Sequence, residues 1–192
     1  MTVRVAAVVF LALVVSVAPA SGATHVFFDF HRVTNTNSVL TVNLQDVYSG
    51  AILIQQSLRA GSGTSTNECY LGHGWLPAGW YDIVAHVDHY DASRIKGRVW
   101  RLSDKRCFGG TGTLRTELFI HSEETAADGQ YCPSAYDDPF CWEGASDYYS
   151  NGCIKLAHAP PYPSDIADAD NDWDAWDGRH GSFLAPTVVF VR

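Results

Sequence analysis

The chain has 192 residues, 46% of them hydrophobic, and a formal net charge of -8. That much apolar material can close one real core, and the length fits a single domain with a modest extension. The acidic balance argues against a nucleic-acid binder, which needs a basic face to neutralise phosphates, and leaves small-molecule, peptide and glycan partners open.

The first 23 residues read as a secretory signal peptide. Arg4 precedes a run from Val5 to Val17, apolar but for Ser16, and Ala18-Pro19-Ala20-Ser21-Gly22-Ala23 supplies small residues for cleavage. A thirteen-residue run falls short of the roughly 20 needed to span a bilayer, so no stable membrane span is expected. Losing this segment removes one basic residue and takes the charge from -8 to -9. The expected domain is 24–192.

Within it, His25 to Phe30 and Val39 to Tyr48 are rich in β-branched and aromatic residues and read as strands. Tyr48-Ser49-Gly50-Ala51 turns the chain into a third strand, Ile52 to Leu58, and Gly61 to Asn67 reads as a loop. Leu76-Pro77-Ala78-Gly79 punctuates a turn into a strand that runs toward Val87. Further strands are expected at Gly97 to Leu102, Thr116 to His121 and Thr187 to Val191, with a buried strand starting after Cys153. Only Ser164 to Trp176 offers a helix, on a weak apolar pattern. The sum is a mostly β domain with few short helices.

Two groups invite a metal reading and fail it. Asp168, Asp170 and Asp172 open like a calcium loop, but Trp173 stands where the turn glycine belongs and Arg179 where the bidentate glutamate belongs. His86 and His89 lack a third ligand in view. No metal and no organic cofactor are expected.

The five cysteines are Cys69, Cys107, Cys132, Cys141 and Cys153, so in an oxidising compartment at least one has no partner within the molecule. Spacing alone leaves fifteen arrangements, and context ranks them. Cys132 and Cys141 bracket a turn-rich stretch, where a bridge is worth about 2.5 to 3 kcal/mol by chain entropy. Cys69 and Cys107 would close a longer loop worth about 4 kcal/mol. Cys153 remains, with Gly152 clearing space before it and the apolar Ile154-Lys155-Leu156 after it. A nucleophilic thiol needs a base, and His121, at the end of an apolar strand, is the best candidate.

Ile120-His121-Ser122, followed by Ser150-Asn151-Gly152-Cys153-Ile154-Lys155-Leu156, resembles the signature of the L,D-transpeptidase (YkuD-type) catalytic domain, in which a His motif precedes Ser-x-Gly-Cys. Ser57 to Gly61, Leu76 to Tyr81 and Thr187 to Phe190 resemble its flanking strands and turn, so the likeness spans roughly Ser38 to Arg192. Two features depart from the family. Lys155 stands in place of an arginine, which keeps the charge but loses a planar bidentate donor. The 32 positions from His121 to Cys153 are more than is usual, and the excess, about 123–149, reads as a disulfide-stapled flap.

The resemblance implies a β-sandwich fold and acyl transfer on peptidoglycan stem peptides by a monomer in the bacterial cell envelope. Cys153 would form a thioester, His121 would move the proton, Ser122 or a nearby carbonyl would orient the imidazole, and the backbone at Gly152 and Cys153 would hold the oxyanion. Ser150, Asn151 and Lys155 would brace the loop and the substrate, with Tyr149 and Trp142 in the donor groove beside Trp75, Trp80, Tyr81 and Tyr148. An acceptor amine would give a cross-link, and water a carboxypeptidase. One alternative is a cysteine peptidase of cell-wall peptides using His158 or His180. Another is a non-catalytic β-sandwich module that binds glycan.

Overall fold

The computed structural model describes residues 24–133, 138–158, 164–180 and 188–192, the last four of the third stretch by backbone alone. The signal-peptide reading and Thr187 lie outside them. The strands are β1 (Thr24–His31), β2 (Ser38–Asp46), β3 (Ile52–Ser62), β4 (Gly79–Asp91), β5 (Lys96–Leu102), β6 (Lys105–Arg106), β7 (Leu114–Arg115), β8 (Leu118–His121), β9 (Ile154–Leu156) and β10 (Val188–Val191). A four-residue turn, α1 (Cys107–Gly110), and a long helix, α2 (Asp165–His180), complete the labelled elements.

The sheet closes on itself in the order β1-β10-β4-β5-β8-β9-β3-β2, while β6 and β7 form a separate ribbon. The mostly β reading therefore holds, but an unbroken eight-strand barrel stands where two packed sheets of a sandwich were expected. Two parallel ladders make the closure: β1 with β10, and β8 with β9. Neither can be read from hairpin spacing, because each joins strands far apart in sequence. β8 is thereby held beside β9, and the expected base comes next to the expected nucleophile.

Alternation fills the barrel. On β1, Val26, Phe28 and Phe30 point inward, and on β2 Leu40, Val42 and Leu44 do the same. α2 lies against β1, β2, β3 and β5, burying Ile166, Ala169, Trp173 and Trp176 in the same core. Those four residues recur every three or four positions, a narrow stripe among aspartates that accounts for the weak sequence pattern. Trp173 stacks on Phe28 with ring centroids 4.8 Å apart.

The aspartates weighed as a calcium loop lie on this helix. Asp170 bonds His86 Nε2 at 2.7 Å and Arg98 Nε at 3.2 Å, tying α2 to β4 and β5. Burial lowers the His86 pKa, but the Asp170 hydrogen bond and the charges of Asp170, Asp174 and Asp88 more than offset it, so the net shift is upward. β3 runs to Ser62, further than the sequence reading, because Ala60, Gly61 and Ser62 pair with Leu156, Lys155 and Ile154 of β9.

Both disulfides form as ranked, Cys69–Cys107 and Cys132–Cys141, and Cys153 is the free cysteine. Among the described residues no helix is long and apolar enough to cross a membrane.

Candidate active site

The loop carrying Cys153 is built backward from β9. Ser150 Oγ donates to the Cys153 carbonyl at 2.7 Å and accepts from the N–H groups of Gly152 at 3.1 Å and Gly63 at 2.9 Å, closing a tight turn on the end of β3. Gly152 adopts φ +113, a region that favours glycine, and an added Cβ would lie 2.0 Å from Arg115 Nη2. Its N–H is directed to Ser150 in this resting state, whereas an oxyanion role would turn it to the cleft.

Arg115, on β7, is the residue the sequence reading missed. It is 2% exposed and donates only to carbonyls: Glu68 at 2.7 Å, Asn151 at 3.1 Å, and Gly74 and Trp75 at 3.3 Å. The guanidinium thus ties the segment carrying Cys69 to the loop carrying Cys153, and its charge acts on the Cys153 thiol. A glycine before a cysteine signals a close approach, but nothing in sequence says which side chain approaches.

Parallel pairing sets Ile120 opposite Ile154 and His121 opposite Lys155, so Cys153 and His121 lie on one face of adjacent strands, diagonally offset. Both line a cleft of about 1200 Å³. His121 Nδ1 bonds the Ser122 carbonyl at 2.8 Å. A carbonyl only accepts, so Nδ1 carries the proton and Nε2 is left as the basic nitrogen. The Ser122 hydroxyl is buried with no partner, so its backbone orients the ring.

Cys153 Sγ lies 3.7 Å from the Glu117 carbonyl, and the Phe119 N–H donates to the sulfur. Among the described residues no hydrogen bond joins the thiol to the imidazole. Glu117 holds φ +53, strained for a non-glycine residue and placed where its carbonyl meets the sulfur.

Burial pushes the Cys153 thiol up to about 11 against the pull of the Phe119 N–H, Arg115 and Lys155. Burial, reinforced by the Lys155 charge, lowers His121 to about 4. The resting pair is therefore neutral thiol and neutral imidazole.

Lys155, the departure from the arginine pattern, turns its ammonium into a buried pair with Glu123 and donates to the Tyr149 carbonyl at 3.2 Å. Burial raises Glu123 to about 7, with Lys155 opposing and Asp147 and Glu143 adding to the rise. The flap forms one wall: Pro139, Glu143, Ser146, Asp147 and Tyr149 line the cleft with Ser150, Asn151 and Lys155. Gln130 bridges the flap by donating to the Glu123 carbonyl and accepting from the Trp142 N–H at 2.6 Å.

The remaining candidates fall elsewhere. Trp142 packs edge-on against Tyr148 inside the flap and does not line the cleft. Tyr81 is core, its hydroxyl donating to the Pro77 carbonyl at 2.7 Å, and Trp80 lies on Phe190 outside the barrel. His158 Nδ1 is engaged with Glu124 at 2.8 Å and Ser164 at 3.2 Å, and the His180 side chain lies outside the described residues. No family model matches this chain, and comparison with curated proteins finds no match.

Proposed function

We propose that this protein is a cysteine acyltransferase of the L,D-transpeptidase kind, acting on peptidoglycan stem peptides outside the cytoplasm. What carries the reading is the free thiol of Cys153 in a cleft shared with an imidazole whose tautomer is fixed by a backbone carbonyl. Two disulfides support export, since they persist in oxidising compartments. In the reaction, His121 Nε2 takes the thiol proton as Cys153 attacks the donor carbonyl, and then protonates the leaving amine. Arg115 steadies the developing negative charge.

A second reading, a secreted binding module with an inert thiol, draws on the same residue. Cys153 is 6% exposed and its thiol is held up at about 11. Intact-protein mass spectrometry after incubation with a carbapenem separates the two. A covalent adduct, lost in Cys153→Ala and slowed at least a hundred-fold in His121→Ala, is the expected result. An unmodified mass under conditions that acylate a bona fide L,D-transpeptidase would leave the binding module.

A further inference from the structure

The parallel register that sets His121 opposite Lys155 puts a buried ion pair beside the imidazole. The Lys155 ammonium is held by Glu123 Oε1 and donates to the Tyr149 carbonyl. Glu123 Oε2 is buried without a hydrogen-bond partner, so one carboxylate oxygen is left to carry a proton when the acid is neutral. His121 and Lys155 are each 7% exposed and Glu123 5%, which leaves little water to screen one group from the next. Both members of the pair lie outside the Ser-x-Gly-Cys and His motifs, and nothing described so far gives them a part in the chemistry.

We propose that the Glu123–Lys155 pair sets the basicity of His121, which makes both residues positioning residues for the proton transfer. The Lys155 charge disfavours an imidazolium beside it. Ionised Glu123 neutralises that charge, and protonated Glu123 leaves it bare. Burial holds Glu123 up to about 7 against the pull of Lys155, with Asp147 and Glu143 of the flap adding to the rise, so the change between the two states falls in the neutral range. Among the described residues the charged group acting on His121 is Lys155 of β9, and those acting on Glu123 are Lys155, Asp147 and Glu143.

The use of the pair rests on reading Cys153 as an acyl-transfer nucleophile with His121 as its base. In the attack the sulfur bonds the donor carbonyl carbon, the carbonyl electron pair moves to its oxygen, and the Sγ proton passes to His121 Nε2. Glu123 and Lys155 neither gain nor lose a proton in that step. Their part is electrostatic: the imidazolium forms more easily beside a neutralised ammonium than beside a bare one. Attack is therefore faster above the titration of Glu123 than below it.

NMR titration of the full chain with isotope-labelled histidine rings tests it, the His121 signal being assigned by its loss in His121→Gln. Lys155→Met should raise the His121 pKa from about 4 by roughly one unit or more, and Lys155→Arg, which keeps the charge, should leave it within about half a unit. Removing one member of a buried pair can unfold a chain, so the double variant Glu123→Gln/Lys155→Met, which leaves neither charge behind, is titrated as well and should match Lys155→Met. Carbapenem acylation supplies the second readout. The ratio of the wild-type rate to that of Glu123→Gln or of the double variant should be flat below about pH 6 and rise about five-fold or more by about pH 8. A carboxylate that served the fold alone would change the rate by one factor at every pH. A His121 pKa unmoved in both Lys155→Met and the double variant, or a rate ratio independent of pH, would overturn the assignment. The titration needs no adduct, which keeps the two readings apart. A shifted imidazole with no adduct on any of the proteins sinks the nucleophile alone, and an adduct beside an unshifted imidazole sinks the role of the pair alone.

Discussion

At the residue scale the site is governed by desolvation. Cys153 and His121 are both pushed toward their neutral forms, so the free protein holds no thiolate–imidazolium pair. Alkylation of Cys153 by iodoacetamide should therefore keep accelerating beyond pH 10, where an ordinary thiol with pKa ~8.5 has levelled. A plateau by pH 8 would contradict the neutral pair.

His121 and Glu123 have opposed effects on stability in acid. His121 titrates at about 4 in the folded chain against 6.5 unfolded, so the unfolded state binds more protons between these values and stability falls as pH drops through them. Glu123 titrates at about 7 against 4.5, so the folded state binds more protons there and stability rises as pH drops. Each swing is worth about 3 kcal/mol, and in the wild type they offset. Urea unfolding at pH 7, 5.5 and 4 should show Glu123→Gln losing about 3 kcal/mol relative to wild type toward pH 4, and His121→Gln gaining a similar amount. Parallel curves for all three proteins would refute the opposed shifts.

At the scale of elements, the loop before β9 is fixed by what crowds it. A Cβ built on Gly152 would meet both Arg115 and the Gly74 carbonyl, the latter 2.8 Å away. Gly61 on β3 is hemmed in the same way, an added Cβ lying 2.1 Å from the Tyr148 carbonyl. Gly152→Ala should expel the guanidinium from its four carbonyls, costing roughly 2 to 4 kcal/mol and abolishing acylation of Cys153. Urea denaturation with carbapenem labelling would measure both, and a variant with wild-type stability and labelling would refute the clamp. The glycine was visible in sequence as a residue that clears space, but the arginine filling that space was not, because 36 positions separate Arg115 from Asn151.

At the scale of the molecule, the two disulfides act on different parts. Cys69–Cys107 spans 38 positions and anchors the segment whose carbonyls Arg115 reads, while Cys132–Cys141 spans 9 and staples the flap. Replacing both cysteines of the first bridge by serine should cost about 4 kcal/mol and slow acylation, and the same change in the second should cost about 2.5 to 3 kcal/mol. Equilibrium unfolding of the two double variants gives the comparison, and a larger loss from the shorter bridge would contradict it.

Composition, alternation and cysteine parity determined much of this protein by themselves. β1, β2, β5, β8 and β10 follow from local apolar and β-branched patterns, and the odd thiol from an odd count in a chain whose other cysteines sit where short and long bridges are useful. These properties are short-range or arithmetic, and a linear string records them. Only the tertiary structure decided that the sheet closes into a barrel, that Arg115 backs the loop carrying Cys153, that Lys155 pairs with Glu123, and that three carboxylates gather in the cleft that His121 lines. Each depends on strands or loops brought together from distant positions, and the free energy that selects such contacts comes from burial in a shared core, which no local window of sequence contains.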